Sequence, residues 1–365
     1  MKVLVLVQDY PNNNGGKKLM YVHVRNKYYM QNGIEVTVLN FSSKSEYVYE
    51  GIRVVSEKGY INENNQYDFL ICHAANLKNH YRFLKKHGNK FPRFIFFFHG
   101  HEVLKISKEY PKDYPYIKKS EIKRVARDIY DELKFLVWRK YFIKVKNKTQ
   151  YVFVSNWLKK KFFENLKITE SDLKGRFFII NNSVGEAFEK NSYHPSENPK
   201  YDFITIRSDL DGAKYGVDIV NELAERNPEM KFLLVGKGRF FDYNKKADNL
   251  DWIDQSLNHE KMLKLLNDSQ CALMPTREDT QGVMACEMAT FGMPLITSNI
   301  DVCKEIFSVY NNVTLICNEN FEHINLEKTL NSISGRINPK RYCINDTMKK
   351  EIKLLKEKTF EENFI

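Results

Sequence analysis

Several things are scarce in this sequence, and each scarcity closes off a class of protein. No stretch of the 365 residues approaches the roughly 18 apolar residues that a membrane-spanning helix needs. The opening run, residues 3–7, holds five apolar side chains and then meets Gln8 and Asp9, which is too short for a secretory signal. The six cysteines, at 72, 271, 286, 303, 317 and 343, form no C-x-x-C pair, and several lie inside apolar runs. They read as reduced core thiols of a cytoplasmic protein. There is no G-x-G-x-x-G, so no dinucleotide cofactor is indicated. His99 and His101 flank Gly100, yet no third ligand stands at a suitable spacing, so no metal site is expected.

What is present is ample material for packed cores. Apolar residues make up 42% of the chain and aromatic ones 13%, and its length fits two domains of common size. The formal charge is +11, so a polyanionic or membrane-surface partner has to be weighed. Much of that charge is local. Between Lys105 and Lys148 there are fourteen Lys and Arg against six Asp and Glu, and Lys159, Lys160 and Lys161 extend the basic surface. Ile117, Ile122, Val125, Ile129, Leu133, Leu136, Trp138, Phe142 and Val145 recur among these charges at helical spacing. Such a helix can lie on an anionic bilayer, or it can pack its apolar stripe on a sheet. No nucleic-acid-reading module accompanies the charge, so no nucleic-acid partner is assigned.

Apolar runs at 3–7, 34–39, 67–73, 93–98, 151–155 and 177–184 read as buried strands of a first doubly wound α/β domain. Gly15 and Gly16 lie beyond the end of the first strand, where a backbone without side chains can approach a ligand closely. Residues 186–200, rich in Asn, Ser, Pro and charge, read as a linker. Runs at 203–206, 232–235, 250–253, 271–274, 294–296 and 313–317 then give the strands of a second domain. Arg207 closes the first of these runs, and Lys214 precedes a helix from 217. Two cations at the crevice end of a strand can neutralise a diphosphate, Arg as a fork and Lys as a point charge.

Residues 275–299, PTREDTQGVMACEMATFGMPLITSN, are the most informative. A polar loop leads into a helix from Gly282 to about Phe291, which Gly292 stops before the chain returns to a strand. Glu287 shares a helix face with Val283 and has small or apolar neighbours, so something polar should meet its carboxylate. Gly282 and Val283 would offer free backbone N–H groups at a helix N-terminus, where phosphate binds readily. The segment thus presents a phosphate cradle between two hydroxyl acceptors, Asp279 and Glu287.

The Asp279-x7-Glu287 spacing, followed by MATFGMPLI at 288–296, resembles the Glu-x7-Glu motif of the retaining glycosyltransferases of family 4. It departs at Asp279, which is one methylene shorter, and at residues 181–184, where Asn-Asn-Ser-Val replaces the family's Pro-Asn-Gly-Val. The resemblance implies a GT-B fold, two Rossmann-like doubly wound domains facing across a cleft that holds the donor. An acceptor domain would span 1–190 with a C-terminal helix, 342–365, packed back on it, and a donor domain would span 200–338.

The resemblance also implies roles. Gly15 and Gly16 would approach the donor phosphates, and Arg207 and Lys214 would hold them. Gly236 matches the family's Val-Gly-x-Gly, the loop at Asp254 would meet the base, and His99 would face the reacting sugar. Glu287 would accept from the ribose hydroxyls and Asp279 from the donor sugar. The implied activity is transfer of a sugar from a nucleotide-sugar donor to a glycan or lipid-linked glycan. It would belong to cell-surface polysaccharide synthesis, need no metal or other cofactor, and take place in the cytoplasm or on the inner face of the membrane. Three other readings stay open: a GT-B enzyme such as an epimerase or phosphorylase, a non-catalytic nucleotide-sugar-binding subunit, and a nucleic-acid binder.

Overall fold

The computed structural model describes residues 1–15, 18–63, 65–173, 176–333 and 340–357. The chain divides into two compact units. The first comprises Met1–Lys105, Arg127–Asn182 and the chain from Asn345; the second comprises Ile106–Ala126 and Ser183–Ile344. Residues 106–126 and 183–190, which the sequence reading places in the first domain, therefore group with the second unit.

The first unit is built on an eight-stranded sheet. Its strands are β1 (Lys2–Val7), β2 (Glu35–Asn40), β3 (Tyr47–Tyr49), β4 (Ile52–Val55), β5 (Phe69–His73), β6 (Arg93–Phe98), β7 (Thr149–Phe153) and β8 (Phe177–Ile179). They lie in the order β3-β4-β2-β1-β5-β6-β7-β8. All pairs are parallel except β3 with β4. Val3, Leu4, Val5, Leu6 and Val7 are all fully buried, as a parallel strand covered on both faces requires. Full burial of each such side chain stabilises the fold by roughly 1.5–3 kcal/mol.

The second unit carries β9 (Tyr201–Ile206), β10 (Phe232–Val235), β11 (Leu250–Ile253), β12 (Ser269–Met274), β13 (Leu295–Ser298) and β14 (Val313–Ile316). These pair in parallel in the order β11-β10-β9-β12-β13-β14. In both sheets the strand order reverses, between β1 and β5 and between β9 and β12. Ligands of such sheets bind beyond the carboxyl ends of the strands at that switch point. The architecture is thus two Rossmann-like sheets, the α/β class expected.

Two local expectations change. Residues 186–200, largely exposed beyond 190, dock through two side chains: Phe188 is fully buried in a short helix, Glu186–Lys190, and the Tyr193 hydroxyl donates to the Ser269 and Gln270 carbonyls. The β3–β4 hairpin, absent from the sequence reading, turns at Glu50 and Gly51, both with positive φ.

Candidate functional site

In the second unit the switch point gathers the predicted donor residues. Arg207 follows β9 and is buried; its Nη2 donates to the Pro275 carbonyl at 2.6 Å, while its Nε has no partner among the described residues. Burial pulls the guanidinium below its ordinary pKa, against the field of Asp279. Tyr215 sits between the two cations. Its ring centroid is 5.3 Å from the Arg207 Cζ and 4.8 Å from the Lys214 Nζ, and the Tyr110 ring lies 5.1 Å from that same amine.

The loop carrying Lys214 is fixed from below. The Lys214 carbonyl accepts from the Arg277 N–H at 2.8 Å and the Thr276 hydroxyl at 3.0 Å, and the Arg277 guanidinium forks onto Asp218. Tyr114, from the 106–126 segment, donates to that same Asp218 carboxylate at 2.8 Å. Gly236 is needed for close approach, since a Cβ there would stand 2.1 Å from the Arg207 carbonyl. Asp254 follows β11 on an exposed loop.

The helix Val283–Phe291 starts at Gly282 and stops at Gly292, both with positive φ. The open cradle expected here is altered at Gly282. Its N–H donates to Asp279 Oδ1 at 2.8 Å, as do the amides of Thr280 and Gln281 at 2.7 and 3.2 Å. The physical reason lies in the shorter side chain: an Asp at this loop position folds back on its own following amides. The carboxylate that the sequence assigns to the sugar thereby shapes the loop. The polar partner required for Glu287 is the Gly185 N–H, which donates to its Oε1 at 2.9 Å. Loss of hydration raises the Glu287 carboxyl to about 7, with the Gly185 bond opposing.

The first unit supplies a different set. His99 follows β6, and its Nε2 lies 3.1 Å from Nδ1 of His73, the last residue of β5. Glu102 accepts from the His99 and Gly100 amides, and Tyr21 packs on the His99 ring at 4.6 Å. The buried amine of Lys134, in the helix Glu121–Val145, donates to the His101 and Leu104 carbonyls and so clamps this loop. Gly15 has a φ of 90°, in the turn after β1, and Gly16 lies outside the described residues. Sequence reasoning missed His73, Gly185, Tyr215 and Arg277. Only His73 carried a signal, as a histidine closing an apolar run.

Residues 204–326 match the family model for glycosyl transferases group 1. The match lies within the second unit, which is therefore similar to the group 1 glycosyltransferases over these residues. No curated protein matches it in sequence. Solved structures match over nearly the whole length. A sucrose-phosphate synthase from Thermosynechococcus elongatus is similar at 11% identity and a TM-score of 0.68, covering 97% of this chain and 98% of its own. A glycosyltransferase from Rickettsia africae aligns at 15% identity and 0.63, covering 100% and 99%. Anabaena HepE, solved with UDP and glucose, aligns at 12% and 0.62, covering 97% and 99%. At such identities the likeness establishes the GT-B fold. The matched region supports a glycosyltransferase, with sugar transfer from a nucleotide-sugar donor as its reaction class.

Proposed function

We propose that the second unit binds the donor with its diphosphate against Arg207 and Lys214, and that the sugar passes with retention to a hydroxyl of a glycan or lipid-linked glycan. The observation that carries this reading is Arg207, a buried cation whose Nε has no partner among the described residues. A buried charge left short of partners is costly, and a diphosphate supplies the missing acceptor. Lys214 and the N-terminal turn of the helix Val283–Phe291 add to the neutralisation. Glu287 takes the ribose hydroxyls, and Asp279 keeps Oδ2 for the sugar while Oδ1 holds the loop. Gly236 and Asp254 border the base; for Gly15 and His99 of the first unit the roles stay those that the resemblance implies. In the transfer, the acceptor oxygen bonds to the anomeric carbon, the bond from that carbon to the phosphate oxygen breaks, and the hydroxyl proton goes to the departing phosphate. Because side-chain cations carry the charge, turnover should survive EDTA.

A thermal-shift screen against UDP, GDP, ADP and their sugar conjugates tests the donor site. One base should stabilise the protein, and both Arg207→Ala and Glu287→Ala should abolish that response. Silence toward every nucleotide, or a response unchanged in both variants, would overturn the assignment.

The acceptor reading draws on the helix Glu121–Val145, which is apolar on two faces. Phe135, Trp138, Phe142 and Val145 are buried, whereas Ile122, Val125, Ile129, Leu133 and Leu136 are each exposed by 53% or more. Lys123, Arg124, Arg127 and Lys140 are exposed among them. No helix among the described residues is long and apolar enough to cross a membrane. An exposed apolar stripe edged by cations fits the surface of an anionic bilayer, which would place the enzyme on the cytoplasmic face beside a lipid-linked polysaccharide precursor. Two copies of so basic a face would repel one another. Co-sedimentation should occur with anionic vesicles and not with zwitterionic ones, and Ile129→Ser with Leu133→Ser should abolish it. Absence of binding at low salt, or a dimer that the same substitutions dissociate, would overturn this.

A further inference from the structure

His73 is fully buried at the end of β5, stacked on the Phe97 ring at 4.5 Å with the planes 18° apart. Its Nδ1 meets His99 Nε2 at 3.1 Å, and its Nε2 has no partner among the described residues. Burial holds both imidazoles well below their ordinary pKa, and the positive charge of Arg25 acts on both in the same direction. Two neutral imidazoles in contact share one N–H, so the proton sits either on His99 Nε2 or on His73 Nδ1.

The orphaned Nε2 of His73 decides between the two. If His99 donated, His73 would have to carry its proton on Nε2, leaving a buried N–H with no acceptor. If His73 donates, its Nε2 is a bare lone pair, and a buried acceptor left unpaired is tolerated more readily than a buried donor. We infer that His73 is a positioning residue: it donates from Nδ1 to His99 Nε2, so that His99 keeps its proton on Nδ1 and presents a neutral N–H donor to an oxygen of the reacting groups. The rest of the loop keeps the ring in place for this. Glu102 ties the His99 and Gly100 amides, Tyr21 packs on the imidazole, and Lys134 clamps the carbonyls that follow. The functional part rests on the reading of His99 as facing the sugar; the tautomer does not.

Histidine-labelled full-length protein examined by long-range 1H–15N NMR gives the direct test, with signals assigned through single His→Gln variants. Both residues should show the Nδ1–H form, and His73→Leu should release His99 to the ordinary mixture. A His99 proton on Nε2 in the native protein would overturn the inference, and this arm needs no turnover. The second arm is steady-state release of nucleoside diphosphate. His73→Leu should lower kcat about tenfold with KM for the donor unchanged. His73→Asn should recover much of the loss, because its amide nitrogen stands near the place of Nδ1 and can still donate to His99 Nε2. An unchanged kcat in His73→Leu, or a KM rise that matches the fall in kcat, would reject the positioning role. If nucleotides stabilise neither variant nor the native protein, the donor assignment fails instead, and the NMR result stands by itself.

Discussion

Among the described residues each unit buries one arginine, and the two are satisfied very differently. Arg25, in the first unit, donates from Nε to Glu351 at 2.9 Å, from Nη1 to the Tyr21 carbonyl and from Nη2 to Asn182, with its Cζ 5.6 Å from the Phe97 ring centroid. Arg207, in the second, has one backbone carbonyl and, among the described residues, no partner for its Nε. A guanidinium with every edge occupied holds structure together, whereas one with an idle edge is poised for a ligand. Glu351 also accepts from the Tyr29 hydroxyl, so the first arrangement anchors the C-terminal helix Ile344–Lys356 to its own unit.

That contrast breaks most sharply at Glu351. Both partners are 1% exposed, so Glu351→Ala strands the Arg25 charge inside the protein. Loss of one partner from a buried pair costs about 3–5 kcal/mol. Chemical denaturation should show a loss of that size, with a smaller one for Glu351→Gln, which keeps an acceptor. If Glu351→Ala cost under about 1 kcal/mol, the pair would be solvated and the distinction between the two arginines would fail.

Arg207 should behave in the opposite way. Arg207→Ala removes a poorly satisfied cation and should leave the stability of the free protein nearly unchanged. What it should remove is ligand stabilisation, about 2.7 kcal/mol at a hundredfold excess of nucleotide over its dissociation constant. A variant that lost folding stability and kept its nucleotide response would make Arg207 a second structural arginine.

The same contrast explains what could be read in advance. The strands were legible because continuous Val, Leu, Ile and Phe runs such as 3–7 and 93–98 have one burial solution. The helix at 283–291 was legible because Gly282 and Gly292 bracket it at positions that need positive φ. The place of Arg207 just after β9 was legible because an apolar run ends at it in the sequence. The partners were hidden, since Glu287 meets Gly185 and Arg25 meets Glu351 across separations of 102 and 326 residues. No periodicity encodes such pairings. Nor could the sequence tell which faces of the 121–145 helix would be covered, because apolar residues occupy two of them.

Glu287 offers a test in pH. Its carboxyl stands at about 7 in the folded protein against 4.5 in the unfolded chain, so between these values the native state holds a proton that the unfolded state has lost. Stability from this group is therefore present at low pH and falls as pH rises through 7. Glu287→Gln cannot ionise, and its melting temperature should decline less than that of the native protein between pH 5 and about 7.5. If Glu287 takes the ribose hydroxyls as proposed, nucleotide affinity should move the other way, rising with pH as the carboxylate forms. Parallel melting curves for the two proteins would show that Glu287 is already ionised at pH 5.

The smallest effect belongs to Asp279, and it separates shaping from binding. With Oδ1 holding three amides at the entrance to the helix Val283–Phe291, Asp279→Ala should cost about 1 kcal/mol, in the range for loss of a helix cap. For a chain of 365 residues unfolding as a whole that is a fall of roughly 1–2 °C in melting temperature. Asp279→Asn keeps an oxygen in the same place and should restore most of the stability. If it also restored the thermal response to a nucleotide sugar, the charge of Asp279 would be dispensable to the donor. Stability restored without that response would assign Oδ2 to the sugar, and one carboxylate would then serve loop and ligand with different oxygens.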